Sequence, residues 1–247
     1  MTVGILGAGA FGTSLSIALS TSNKKLILWT QNHGTVKSIQ EVRENRLRLP
    51  GYILPEQITA TTDIAEIKDC SIILIAVPMQ QLRSLVEMHG SILKGKILVA
   101  CCKGFEVSSG LGPTAILEIA SEKTAVLTGP SFASDLASGF PTALTIASKV
   151  EGLAKYIQKE LGTEILRLYW SNDPIGAELG GALKNVIAIG CGVTIGAGYG
   201  SSSRAALMTR GYSEIVNIAP FFGAKPETLF GLSGLGDLSL TCMSSES

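Results

Sequence analysis

The stretch TVGILGAGAFGTSLSIAL, residues 2–19, decides the reading of the fold. A short apolar run leads into Gly7, Gly9 and Gly12, which fit G-x-G-x-x-G, and small and apolar residues follow at helical spacing. A strand, a tight turn and a helix in that order suit a turn that cradles the pyrophosphate of a dinucleotide. Gly7 then makes the turn, Gly9 admits the phosphates, and Gly12 lets the helix lie close to the strand. The N–H groups at the helix start, from Ala10 onward, face the anion. The plainer alternative is a strand-to-helix corner with no ligand.

Outward from this turn, short β-rich runs alternate with helical ones. TVGIL, KLILW, SIILIAV, KILVACC, TAVLTG, TALTIAS and EILRLYW are the candidate strands. Several are apolar without alternation, as expected of strands covered on both faces. Amphipathic pieces such as QQLRSLVEMHGSIL and EGLAKYIQKELG lie between them. The order predicts an α/β fold, a Rossmann-type doubly wound sheet with its ligand beyond the carboxyl ends of the strands. After YWSNDPIG the strand signals stop and the remainder reads as helix, so residues 1–172 form the dinucleotide domain and residues 173–247 an all-α substrate domain. Its first helix is predicted to start with Asp173 as N-cap and Pro174 at the first helical position. That helix is long and apolar. It carries Glu178, Lys184 and Asn185, however, and six glycines between Gly176 and Gly196. Each glycine costs about 1 kcal/mol in a helix interior, so the expectation is a core helix packed tightly against protein and not a membrane span.

Composition narrows the function classes. The 247 residues carry 20 basic and 20 acidic side chains, which leaves no basic footprint for a nucleic acid. Five cysteines (Cys70, Cys101, Cys102, Cys191, Cys242) form no C-x-x-C pair and leave an odd count. That speaks against a metal site or a disulfide framework and fits a reducing cytoplasm. The N-terminus has no basic segment or cleavage site, so no export signal is expected.

Four places carry candidate chemistry. Lys103 in VACCKGFE follows a strand and so faces the ligand crevice, where it can meet a phosphate or polarise a carbonyl; the alternative is a solvated surface lysine. In LTGPSFASDLASGFP, Gly129 and Ser131 can offer an N–H and a hydroxyl to an anion, or simply build a turn. Lys184 stands in mid-helix among glycines and apolar residues. A desolvated lysine loses its proton more readily, which suits proton transfer; the alternative is an amine that reaches out to water. Asn185 beside it can orient a substrate or fix the helix backbone. In FGLSGLGDLSLTC, Asp237 is either a site acid or a helix N-cap, with Thr241 one helical turn on.

With these motifs in view, the chain resembles the bacterial NAD(P)-dependent glycerol-3-phosphate dehydrogenases along its whole length. The matching segments are GILGAGAFGTSL, CCKGFE, LTGPSFASDLASGFPTA, AELGGALKNVIAIG, ALMTRGYSEI and GLSGLGDLSLTC. The resemblance implies a Rossmann domain joined to a helical substrate domain, and reversible reduction of dihydroxyacetone phosphate to sn-glycerol 3-phosphate for glycerophospholipid synthesis. It implies that Lys184 exchanges the proton with the carbonyl oxygen. Lys103, Asn185, Asp237 and Thr241 line the active site, and Gly129 and Ser131 help to bind substrate. Phe11, Lys103 and Ala133 contact the cofactor. Asp237 is expected to hold Lys184 and offset the repulsion between the two lysines.

The cofactor is NAD or NADP, with no preference legible. The second strand ends LWTQNHG, where Gln31 and Asn32 replace both the acid that meets a ribose and the arginine that meets a 2′-phosphate; Gln31 can hydrogen-bond either ribose. The resemblance also implies a phosphate-binding motif that starts at Ser247 and an arginine just beyond it, so the helical domain is expected to be incomplete here. Alternatives are a non-catalytic or truncated dinucleotide-binding module, and a dehydrogenase for another hydroxy acid. The expected partner is the small-molecule substrate, with a homodimer left open.

Overall fold

The computed structural model describes residues 1–22 and 24–244. Eight strands form one sheet in the order β10-β9-β8-β7-β6-β1-β2-β5. They are β1 (Thr2–Leu6), β2 (Lys25–Trp29), β5 (Ile58–Thr61), β6 (Ile72–Ile75), β7 (Ile97–Ala100), β8 (Thr124–Thr128), β9 (Thr142–Ala147) and β10 (Leu166–Ser171). A two-stranded antiparallel ribbon, β3 (Glu44–Asn45) with β4 (Leu49–Ile53), stands apart from it. The chain leaves β1 toward β2 on one side and returns across the sheet to β6 on the other. That reversal opens a crevice above the carboxyl ends of β1, β2 and β6.

Period-two side chains of the central strands feed two cores. Ile72 and Leu74 of β6 join Leu15 and Leu19 of α1 (Ala10–Ser20), Leu136 of α5 (Ala133–Ala137) and Ile157 of α6 (Leu153–Leu161) on one face. Ile73 and Ile75 turn to the other face, against Leu82 and Val86 of α3 (Leu82–Leu93) and Leu117 of α4 (Pro113–Leu117). Ile39 of α2 (His33–Val42) completes the first core. Strands buried on both faces need no polar alternation, which is why their sequences read as apolar runs.

Three features differ from the sequence reading. Strands β3, β4 and β5 carry no strong strand signal: β3 is two residues long, and LPGYI of β4 holds a proline and a glycine. The sheet is also mixed, because β9 pairs antiparallel with β8 and parallel with β10. The third feature concerns the long helix α7 (Pro174–Gly196). It is long and apolar enough to cross a membrane by length and composition, and its first half packs into the protein. Ala177 joins the second core, and Leu179 joins a separate core with Ile215 of α8 (Ser201–Ile218) and Leu229 of α9 (Pro226–Leu229). Beyond Lys184, however, Val186, Ile189 and Val193 are exposed, so only its first half is the core helix expected.

The glycines of α7 have a packing reason. A Cβ at Gly180 would stand 2.4 Å from the Ser233 carbonyl oxygen, and one at Gly181 would stand 3.4 Å from Cγ of Lys103. Close approach to neighbouring backbone and side chains offsets the poor helix propensity. Asp173 caps α7 by accepting from the Gly176 amide at 2.9 Å, and its other oxygen accepts from the Lys225 amide and the Thr228 hydroxyl. One turn of π-helix, Leu232–Gly236, then leads into α10 (Asp237–Met243).

Candidate active site

The glycine turn has the shape its sequence calls for. Gly7 has φ +112°, and a Cβ there would lie 2.6 Å from the Ala76 carbonyl oxygen. A Cβ on Gly12 would sit 2.0 Å from the Gly7 carbonyl oxygen, so this position tolerates only glycine without a backbone shift. A Cβ on Gly9 would meet nothing within 4 Å, because that residue faces open space. Gly9 is the N-cap of α1 and no side chain caps the helix, which leaves its first amides for an anion. These residues therefore fit a dinucleotide pyrophosphate.

The turn forms one wall of a cleft of about 900 Å³ that runs along the carboxyl ends of the strands. Gly7, Gly9, Ala10 and Phe11 line it, followed by Gln31 and Asn32 after β2, Ala76–Met79 after β6, and Lys103 after β7. Gly12 lies beneath, packed against the turn.

At the Lys103 end, three elements converge. Asp237, the first residue of α10 and 1% exposed, accepts from Lys184 Nζ at 2.7 Å through Oδ1 and from Lys103 Nζ at 2.6 Å through Oδ2. Lys184 Nζ also donates to Thr241 Oγ1 at 2.8 Å, one turn along α10. Lys103 Nζ donates to the Gly129 carbonyl oxygen at 3.4 Å. A carboxylate between two ammonium groups satisfies both of its oxygens and offsets their repulsion. Burial pushes the Lys103 ammonium down to about 8, opposed by Asp237 and assisted by Lys184.

The loop that carries Lys103 is anchored from two sides. Arg83 of α3 makes a two-pronged contact with Glu106, at 2.8 and 2.7 Å, and these bonds hold the Glu106 carboxyl down at about 2. Gln80 binds the Phe105 carbonyl oxygen and the Val107 amide. From α7, buried Glu178 accepts from the Thr114 amide at 2.8 Å. Burial raises the Glu178 carboxyl to about 7, against the hydrogen bonds from Thr114.

The structure thus brings together Lys103, Lys184, Asp237, Thr241 and Gly129. It does not bring Asn185 to the cluster: that side chain is exposed on the next position round α7. The Ser131 hydroxyl makes a 3.4 Å bond to the Phe132 carbonyl oxygen, and Ala133 opens α5, the helix packed on α1. Ser247 lies outside the described residues. Two residues that bear on the site escaped the sequence reading. Thr128 Oγ1 is buried next to the Lys103 stem with no hydrogen-bond partner among the described residues. Asn45 is fully buried and donates to the Ala8 carbonyl oxygen at 2.9 Å and to Thr13 Oγ1 at 2.8 Å, which fixes the glycine turn from outside. Nothing about an asparagine 37 positions from Ala8 signals that contact in the sequence.

A glycine cradle at a switch point, opening on a lysine–aspartate–lysine cluster from a helical second region, defines a nicotinamide-dependent oxidoreductase of the Rossmann class. Residues 2–154 match the family described as NAD-dependent glycerol-3-phosphate dehydrogenase N-terminus, and residues 173–247 match its C-terminus counterpart. The chain belongs to this family. It is 53% identical over 244 residues to the glycerol-3-phosphate dehydrogenase (NAD(P)+) of Ruegeria sp. (strain TM1040), covering 98% of this chain and 76% of that one. The protein of the same name from Roseobacter denitrificans is 50% identical over 246 residues, with 99% and 77% covered. The crystal structure of glycerol-3-phosphate dehydrogenase from Coxiella burnetii superposes with a TM-score of 0.93 at 35% identity, over 100% of this chain and 77% of that one.

Proposed function

We propose that the chain reversibly reduces dihydroxyacetone phosphate to sn-glycerol 3-phosphate with NAD(P)H, for glycerophospholipid synthesis, and that the lysine–aspartate cluster carries the proton chemistry. The observation behind this is that Lys103 lines the dinucleotide cleft and shares Asp237 with Lys184. When bound, the reduced nicotinamide supplies hydride to the substrate carbonyl carbon. Lys184, as ammonium, gives its Nζ proton to the developing alkoxide and takes it back in the oxidative direction. Lys103 adds positive charge beside the same oxygen or the substrate phosphate. Asp237 and Thr241 hold Lys184 Nζ in place. Gly129, Ser131 and Asn185 are proposed to complete the substrate site, with Gly7, Gly9, Ala10, Phe11, Gly12, Gln31 and Ala133 on the cofactor. The division of labour proposed is residues 1–172 for the cofactor and 173–247 for the substrate.

Five buried free thiols suit a reducing compartment, and the cytoplasm is the proposed location. Homodimer formation is read by light scattering of the purified chain. The decisive experiment follows oxidation of NADPH and NADH by dihydroxyacetone phosphate in wild type and Lys184→Met. Loss of a general acid lowers kcat by roughly 10²- to 10⁴-fold, while cofactor affinity persists. Retained kcat in the variant would assign the proton to another group.

A further inference from the structure

Glu178 of α7 is 7% exposed and takes no part in the proton chemistry. Its Oε1 accepts from the Thr114 amide at 2.8 Å, and the Thr114 hydroxyl bonds the carboxyl as well. A Cβ at Gly112 would stand 2.2 Å from Oε2, so the backbone ahead of α4 lies directly on this carboxyl. Along α7, Glu178, Gly181 and Lys184 follow at three-residue intervals, the spacing of neighbours on a helix surface. Gly181 lies against the Lys103 stem, and Lys184 reaches Asp237. Helix α7 therefore meets the segment from Lys103 to Thr114 at both ends, through Gly181 at one and Glu178 at the other.

The middle of that segment is tied to α3 and its approach, by Arg83 on Glu106 and by Gln80 on the backbone of Phe105 and Val107. From the helical region, Phe222 stacks on Phe105 with ring centroids 6.3 Å apart. Glu178 adds the hydrogen-bonded tie on that side. The titratable groups that face it are Glu118 at the end of α4, Asp173 at the start of α7 and the Cys102 thiol after β7. No cation pairs with Glu178 among the described residues. A negative charge in this place is therefore uncompensated, and burial raises the carboxyl to about 7.

We propose that Glu178 is a positioning residue for the reaction: its bond to the Thr114 amide seats the segment that carries Lys103 on the helix that carries Lys184, and so fixes the span that Asp237 bridges. This role rests on the reduction proposed above. In its neutral form the carboxyl fills the buried place without an unpaired charge. Ionisation leaves a buried charge with no cation, a state relieved by admitting water between α7 and the segment. The seat is then firm below pH 7 and weakened above it. A loosened segment lets Lys103 drift from Asp237, and a misplacement of about 1 Å can cost roughly 10²-fold in rate.

The test compares kcat for reduction of dihydroxyacetone phosphate across pH in wild type, Glu178→Gln and Glu178→Ala, at a temperature where circular dichroism shows all three folded. Wild-type kcat should decline as pH passes about 7. Glu178→Gln keeps an acceptor for the Thr114 amide and cannot ionise, so its kcat should stay level through that window while the lysine limb at higher pH remains. Glu178→Ala removes the tie and should lower kcat at every pH by about 10- to 100-fold, with KM for the nicotinamide little moved. Infrared titration assigns the limb: a carboxylic C=O band that fades past pH 7 in wild type and is missing from Glu178→Gln belongs to this residue. Superposable profiles for wild type and Glu178→Gln, a Glu178→Ala variant with wild-type kcat, or no such band would overturn the assignment. Wild type without turnover at any pH would instead remove the reaction, and this role with it.

Discussion

Replacing Asp237 by asparagine keeps the shape of the side chain and removes one negative charge from between two lysines. In the native site both carboxylate oxygens are taken, at 2.7 Å by Lys184 and 2.6 Å by Lys103. The amide keeps one acceptor and turns an N–H₂ group toward the other ammonium. Two consequences follow. First, removing one partner from a buried ion pair costs about 3–5 kcal/mol because the remaining charges lose their compensation. Asp237 is 1% exposed and Lys184 10%, but Lys103 is 29% exposed and partly screened, so the lower end applies, about 3 kcal/mol. For a chain of this size that lowers Tm by roughly 6–12 °C. Second, an ammonium that loses a carboxylate at contact distance holds its proton less firmly, as the Asp237 contribution that opposes burial at Lys103 indicates. Reduction of the carbonyl needs the charged, proton-donating form. The alkaline limb of the pH–rate profile for reduction should therefore move to lower pH, as should the acid limb for oxidation. Both limbs are read from initial rates of nicotinamide absorbance change across pH, with substrate and cofactor saturating. A variant that is slower at every pH, with both limbs unmoved, would refute the electrostatic role and leave Asp237 a packing residue.

Further outcomes are expected elsewhere in the molecule. Glu178 has its native carboxyl raised to about 7 from 4.5, so the folded state binds more protons between those values, and stability falls as pH rises through that window. Glu178→Gln keeps the acceptor for Thr114 and should abolish up to about 3 kcal/mol of that pH dependence; thermal melts at pH 5 and pH 8 should show the variant gaining on wild type at the higher pH. Gly12→Ala must displace the glycine turn, because its Cβ would lie 2.0 Å from the Gly7 carbonyl oxygen. A loss of about 1–3 kcal/mol in urea titrations, with ADP-ribose binding weakened, is expected, and an undisturbed affinity would mean that the turn does not hold the pyrophosphate. Asn45→Ala removes two buried hydrogen bonds and leaves the Ala8 carbonyl oxygen unpaired, a loss of about 1–3 kcal/mol by the same assay.

The sequence by itself determined the local devices. Gly7, Gly9 and Gly12 follow from the steric demands of a strand, a turn and a helix within a few residues, and the Asp173–Pro174 start of α7 follows from the open amides of a helix end. The seven apolar runs become seven of the eight strands of the sheet for the same local reason. The types and order of the site residues were also legible, through the resemblance their motifs carry. Only the tertiary structure decided what meets what. Asp237 reaches Lys184 across 53 positions and Lys103 across 134, because the glycines of α7 let that helix approach both the sheet and the turn before α10. The reversal of β9, the short edge strand β5, and the route that brings Asn45 to the glycine turn leave no local trace. Each depends on contacts between distant segments. Periodicity and propensity report a residue's surroundings along the chain, not the neighbours that packing brings to it.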